Sequence, residues 1–138
     1  MHRTAHLSLS DEELQTYRAT FRARQQQQYA ERETAREVAL RAARERIPPL
    51  LVRWPSIQRA YLFGSVLRPG AFHQRSDIDI AIEGVPGACY FEVWHVLEAA
   101  LPEWFIDLRD MEAAPLLADL IQQTGELLYE RSPTSVTS

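Results

Sequence analysis

Residues 77–83 read DIDIAIE, and this alternation constrains the fold more than any other feature of the chain. In an extended strand, successive side chains point to opposite faces of the sheet. Ile78, Ile80 and Ile82 therefore share an apolar face, while Asp77 and Asp79 share the other face. Taking a charged carboxylate out of water is costly, so another group must compensate this pair. The pattern predicts a strand with one buried face and a polar site on the opposite face.

The surrounding sequence predicts an α+β fold: a small mixed β-sheet flanked by helices, with a long N-terminal helix. Strand formers occupy residues 57–63, 77–83 and 104–109, and ELLYE at 126–130 adds a last strand. The segment GACYFEVWHVLEAALP predicts a helix with Phe91, Trp94, Leu97 and Leu101 on one apolar face. The segment EAAPLLADLIQQTG predicts a closing helix that ends at Gly125.

Residues 10–46 predict a single helix about 55 Å long, which exceeds the width of a small domain. Ser10 and Glu13 form a capping-box pattern, and Pro48-Pro49 are expected to end the helix. We therefore divide the chain into an N-terminal helical extension (1–46), a main domain (47–131) and a disordered tail (132–138). The extension is expected to provide an assembly surface, in an oligomer or in a complex with another protein.

Composition and charge exclude several function classes. All 15 basic residues are arginines, so a P-loop lysine and a Schiff-base lysine are both excluded. The lone cysteine and the lack of an export signal or long apolar run predict a cytoplasmic protein without membrane association. Residues 1–75 hold 13 arginines against 7 acidic residues, and residues 76–138 hold 2 against 12. The basic half could face RNA, a phosphate-bearing ligand or an acidic protein, but mixed-charge helices are usually solvated, and direct nucleic-acid binding is not expected.

The acidic residues predict a site for a hard divalent cation. Asp77 and Asp79 lie about 7 Å apart along one strand face, and Asp107 on the next strand can join them at a spacing of about 5 Å. Two carboxylates at that distance repel by roughly 3 kcal/mol at an effective dielectric constant of 20. Such a cluster holds either protons or cations, and oxygen-only ligands favour Mg²⁺ or Mn²⁺.

A second element, Gly64-Ser65, follows the strand at 57–63 and predicts a phosphate-binding turn. Glycine lets the backbone approach a ligand, and the next residues can present amide N–H groups and the Ser65 hydroxyl. A phosphate-binding turn opposite a metal site is the arrangement needed for metal-assisted nucleotidyl transfer.

The pattern Gly-Ser followed by Asp-x-Asp resembles the DNA polymerase β-like nucleotidyltransferase superfamily. The compact size and the ending LADLIQQTGELLYER resemble its minimal nucleotidyltransferases, the MNT proteins. The resemblance covers residues 47–131. It implies that ATP is the substrate, and it implies nucleotide contacts for Gly64, Ser65, Arg68 and Ser76, and metal-binding and catalytic roles for Asp77, Asp79 and Asp107. The family usually has an Arg-Gly pair and ten residues before the first aspartate; this chain has LRPG and eleven, 66–76.

The resemblance also implies a partner. MNT proteins act as antitoxins of HEPN ribonuclease toxins, and family members transfer AMP from ATP to a tyrosine of the toxin. Seven residues follow Arg131 in this sequence, so the acceptor is expected to be another protein. Two alternatives stay open: nucleotidylation of a small molecule or an RNA end, and a non-catalytic nucleotide-binding subunit that blocks its partner sterically.

Overall fold

The computed structural model describes residues 8–133, and a four-stranded mixed sheet forms its centre. The strand order is β3-β2-β1-β4, in which β2 and β3 are parallel and the other pairs are antiparallel. In chain order the elements are α1 (Asp11–Leu51), β1 (Arg59–Phe63), β2 (Ile78–Glu83), α2 (Tyr90–Ala100), β3 (Ile106–Asp110), α3 (Pro115–Thr124) and β4 (Glu126–Glu130). The expected α+β fold is confirmed. The expected tail lies mostly outside the described residues.

The sheet has one apolar face and one face that is only partly apolar. Ile78, Ile80 and Ile82 are fully buried as the alternation predicted, and they belong to the main core with residues of α1 and α2. On the opposite face, Tyr61 and Ala81 form a smaller cluster with residues of α3. The aspartates of β2 share this second face, beside α3, so the sheet itself separates the main core from the polar site.

Helix α1 is longer than the sequence predicted, because it does not end before Pro48-Pro49. Its capping box at Ser10 and Glu13 is present, but the helix continues through both prolines to Leu51. Proline inside a helix removes backbone hydrogen bonds at a cost of about 3 kcal/mol. Ile47 and Leu51 are fully buried in the core, and burial contributes about 1.5–3 kcal/mol for each side chain. This burial offsets the lost hydrogen bonds.

The last third of α1 is part of the core, whereas its first half is exposed. Ala39, Ala43, Ile47 and Leu51 have no accessible surface. Across residues 11–30, by contrast, only Leu14 is even partly buried. The division of the chain at residue 46 stays a prediction, but Ala39–Leu51 packs as part of the same core as the sheet. None of the helices in residues 8–133 is both long and apolar enough to cross a bilayer.

The apolar face predicted for α2 is partly wrong. Leu97 and Leu101 are fully buried and Trp94 is half-buried, but Phe91 is 68% exposed and stacks on Trp94. Val93 occupies the buried position instead. The helix is rotated so that its Val93–Leu97 stripe faces the sheet, which leaves Phe91 at the edge of the contact.

Truncation of α1 tests where the folding unit begins. We expect removal of residues 1–28 to change the free energy of unfolding by less than about 0.5 kcal/mol, because the described part of this segment buries almost nothing. Removal of residues 1–43 deletes Ala39, Leu40, Ala42 and Ala43, and should cost about 4 kcal/mol or more. Urea unfolding of both truncated proteins measures the difference. Equal stability of the two would place the start of the folding unit after residue 43.

Candidate functional site

Three carboxylates meet where β2 and β3 lie side by side. The parallel register pairs Asp79 directly with Asp107, and Asp77 immediately precedes β2. One oxygen from each of the three side chains lies within 4.8 Å of the others. Asp77 is exposed, and Asp79 and Asp107 are partly buried. The structure therefore brings together all three aspartates that the sequence singled out; their roles remain to be tested.

The carboxyl group of Asp79 has a raised pKa. Burial of its side chain, together with the negative charges of Asp107 and Asp77, raises its pKa from 3.8 to about 6. The positive charge of Arg109 opposes the effect. A carboxylate held among like charges is poised to take up a proton or a cation.

Arg109 compensates part of the negative charge of the three carboxylates. This arginine was not identified as a site residue from the sequence. Its guanidinium donates from Nε to Asp107 Oδ1 at 3.1 Å and from Nη2 to Asp107 Oδ2 at 3.2 Å. This fork-like pairing raises the pKa of the Arg109 guanidinium. The sequence could have indicated it, because residues 107 and 109 are two positions apart on a strand and therefore lie on the same face. Arg109 thus orients the Asp107 carboxylate.

Gly64 makes room for the cluster. Its backbone has φ of +80°, a conformation that L side chains rarely adopt. A Cβ atom at this position would lie 2.2 Å from Asp79 Oδ2, far inside contact distance. Gly64 follows Phe63, which pairs with Asp79 across β1 and β2. Glycine is therefore needed at this position because any side chain would collide with the Asp79 carboxylate. The sequence had predicted a different reason, the close approach of a ligand to the backbone.

Two donors from α2 hold the strand that carries Asp107. The Tyr90 hydroxyl donates to the carbonyl oxygen of Leu108, and Trp94 Nε1 donates to the carbonyl oxygen of Ile106 at 3.1 Å. The two donors are four residues apart on a helix, a rise of about 6 Å, and the two carbonyls are two residues apart on a strand, a rise of about 6.6 Å. The distance between the donors therefore matches the distance between the acceptors. The outer edge of β3 is thus fixed by side chains, which sets the position of Asp107.

The other predicted nucleotide-binding residues lie in the loop between β1 and β2. Ser65 is half-buried in a 3₁₀ turn at Gly64–Leu67. Arg68 is exposed and forms no ion pair within residues 8–133. Ser76 Oγ accepts a hydrogen bond from the His73 backbone N–H at 3.0 Å and so closes the last turn of the loop. Nucleotide contacts for these residues stay predictions.

Comparison with protein families assigns the domain that contains the carboxylate cluster to a family. Residues 45–134 match the family model described as polymerase beta, nucleotidyltransferase, which is well over half of the chain. The chain belongs to this family. The carboxylate cluster, the Gly64–Leu67 turn and the whole sheet all fall within the matched nucleotidyltransferase region.

Solved structures similar to this nucleotidyltransferase include toxin–antitoxin complexes. One is a toxin–antitoxin with AMP-PNP, with 27% sequence identity and a TM-score of 0.47 over 71% of this chain and 75% of that chain. Another is the tri-AMPylated Shewanella oneidensis HEPN toxin in complex with MNT antitoxin, with 25% identity and a TM-score of 0.41 over 72% of this chain and 73% of that chain. Among curated proteins, no relative matches the sequence significantly.

The cluster fits the divalent cation that nucleotidyl transfer uses. Its donor atoms are carboxylate oxygens alone, which Mg²⁺ and Mn²⁺ prefer. Three acidic groups face one arginine, and the negative charges of Asp107 and Asp77 add to the effect of burial in raising the pKa of Asp79. A bound divalent ion would relieve this repulsion.

The Gly64→Ala substitution tests the space around Asp79. We expect loss of Mn²⁺ binding and a stability decrease of about 1–2 kcal/mol, because the new Cβ displaces Asp79 and the backbone is strained. Gly87→Ala is the matched control, since no atom lies within 4 Å of the added Cβ. Calorimetric titration with Mn²⁺ and urea unfolding provide the readouts. Wild-type metal affinity in Gly64→Ala would show that the glycine does not shape the site.

The raised pKa of Asp79 predicts a specific pH dependence of stability. The folded protein binds this proton more tightly than the unfolded chain, so the stability contributed by Asp79 falls as pH rises from about 4 to about 6. Metal-free Asp79→Asn should therefore be more stable than wild type at pH 7.5, and equally stable near pH 4. The full shift corresponds to at most about 3 kcal/mol, and solvent screening of this partly exposed group reduces the gain to the order of 1 kcal/mol.

Urea unfolding with a chelator at both pH values measures the effect, with Asp119→Asn on the exposed face of α3 as the control. Addition of Mg²⁺ should stabilise the wild type and leave Asp79→Asn unchanged. A stability difference that is independent of pH would contradict the assigned cause.

Proposed function

We propose that this protein is a metal-dependent nucleotidyltransferase that transfers AMP from ATP to a tyrosine of a partner HEPN toxin, and so acts as its antitoxin. The observation that carries the catalytic part is the cluster of Asp77, Asp79 and Asp107, which lies beside the Gly64–Leu67 turn in a nucleotidyltransferase domain. Transfer forms a bond between the acceptor oxygen and the α-phosphorus of ATP, breaks the bond to the pyrophosphate leaving group, and removes the proton of the acceptor hydroxyl, which a carboxylate of the cluster would accept.

The residues of the chain have separate tasks in this reaction. Asp77, Asp79 and Asp107 would hold Mg²⁺, which when bound lowers the pKa of the attacking hydroxyl and balances phosphate charge. Gly64 and Ser65 would bind and orient the triphosphate. Asp107 lies in the cluster, and Arg109 orients its carboxylate. Holding the acceptor in line with the phosphate provides much of the expected rate enhancement.

Exposed apolar side chains near the site favour a protein acceptor. Phe105 precedes β3 and alternates onto the face of Asp107, and it is 76% exposed. On α3, which packs against the same sheet face, Leu116 is 90% exposed and Leu120 is 54% exposed. Large exposed apolar groups, one of them two residues from Asp107, suit contact with another protein better than capture of a small polar metabolite. The resemblance of the compact domain and of its ending LADLIQQTGELLYER to MNT proteins supports a HEPN toxin as that protein.

The decisive experiment combines the full chain with the protein encoded by the adjacent reading frame, ATP and Mg²⁺. We expect intact mass spectrometry to show addition of one or more AMP units to a partner tyrosine, with loss of the partner's ribonuclease activity. Asp77→Asn and Asp79→Asn should lower the transfer rate at least about a hundredfold, because they remove charge that stabilises the reacting phosphate and its ion. Glu98→Gln, on the exposed side of α2, should transfer at the wild-type rate.

Two outcomes would overturn the proposal in different ways. Inhibition of the partner without a mass change, and undiminished in Asp77→Asn, would indicate a subunit that blocks its partner sterically. Rapid AMP transfer to a small molecule or an RNA end without any partner would indicate a different acceptor for the same chemistry.

A further inference from the structure

A stripe of α1 contacts the loop that carries Gly64 and Ser65. Tyr29, Glu33 and Arg36 are spaced at i, i+4 and i+7, which places them on one face of the helix. All three precede residue 45, where the match to the nucleotidyltransferase family begins. The contacts therefore join the N-terminal helix to the site loop from outside the family domain.

Glu33 holds the far end of the loop. Its Oε2 accepts a hydrogen bond from the Gly70 backbone N–H at 2.6 Å. The ring of Tyr29 lies against the same residue, because a Cβ at Gly70 would be 2.8 Å from Tyr29 Cε2. Gly70 has φ of +79°, so glycine satisfies both the turn and the close ring contact.

Arg36 holds the near end of the loop. Its Nη1 donates to the carbonyl oxygen of Val66 at 3.3 Å, one residue after Ser65. The same guanidinium pairs with both carboxylate oxygens of Glu33, at 3.0 and 2.9 Å. The side chains of Glu33 and Arg36 are only 21% and 16% exposed, so this pair is far less solvated than an ordinary surface ion pair.

Arg36 and Glu33 hold the two ends of the part of the loop in which the sequence departs from the family pattern. Between Val66 and Gly70 lies Leu67-Arg68-Pro69, within the LRPG segment that departs from the Arg-Gly pair usual in the family. Inside the loop, the Arg68 N–H donates to the Ser65 carbonyl oxygen at 3.0 Å. Displacement of Val66 or Gly70 would therefore shift the backbone next to Ser65.

We propose that Glu33 and Arg36 are positioning residues that hold the Gly64–Gly70 loop in the conformation that receives the triphosphate. The proposal rests on the nucleotidyl-transfer function above and adds α1 to the nucleotide-binding apparatus. Loss of the pair would let the loop sample other conformations, and ATP binding would then have to restore the order. The effect should fall on nucleotide affinity, because neither residue reaches the carboxylate cluster.

The test compares Glu33→Ala, Glu33→Gln and the control Glu37→Ala in the full chain. Glu37 is exposed on the same helix and makes no hydrogen bond to the loop. Glu37→Ala therefore also replaces a glutamate by alanine, but it removes no contact equivalent to that of Glu33 with Gly70. We expect Glu33→Ala to raise the KM for ATP about tenfold with kcat within about twofold, the effect of one charged hydrogen bond. Glu33→Gln retains an acceptor oxygen and should recover part of the affinity.

Amide hydrogen exchange without nucleotide gives a readout independent of activity. In Glu33→Ala, the amides of residues 66–68, 70 and 71 should exchange at least about tenfold faster while those of β2 stay unchanged; Glu37→Ala should match wild type. Unchanged exchange in the loop, equal acceleration throughout the sheet, or a fall in kcat with constant KM would overturn the proposal. If wild type transfers no nucleotide, the transfer function fails, and the exchange comparison still decides whether α1 holds the loop.

Discussion

The parallel register between β2 and β3 is the constraint around which the site is built, because it places the carboxylates of Asp79 and Asp107 side by side. Repulsion between two such charges is roughly 3 kcal/mol at an effective dielectric constant of 20. Burial of the three isoleucines of β2 contributes about 1.5–3 kcal/mol for each side chain, so the apolar face outweighs the repulsion. The core therefore holds the acidic residues together without a bound ion.

Other features follow from this placement. Arg109 balances part of the charge from the same strand face, and Gly64 leaves the volume that the Asp79 carboxylate occupies. Tyr90 and Trp94 fix the strand that brings Asp107 to the site. The positions of Arg109 and Gly64 are thus explained by the carboxylates that they contact or make room for.

Alternation was sufficient to predict the strand of Asp77 and Asp79 and to put both on the face opposite the isoleucines. It left open whether the strand of Asp107 is the neighbour, which the parallel pairing of β2 and β3 decides. The end of α1 was not predictable from local rules, because burial of Ile47 and Leu51 overrides the two prolines. The contacts of Glu33 with Gly70 were also missed, since they join residues 37 positions apart and leave no periodic signal.

The side-chain donors on β3 also decide how this sheet can meet other strands. An edge strand normally presents unpaired backbone groups that can template pairing with another chain. On β3 the outward carbonyls of Ile106 and Leu108 are already occupied by Trp94 and Tyr90. Within residues 8–133, β4 is the other edge of the sheet, and the glutamates at its two ends pair with arginines of α1 and β1. A newly made chain is therefore less exposed to mistaken strand pairing at β3, the edge that carries Asp107, than it would be with both carbonyls free.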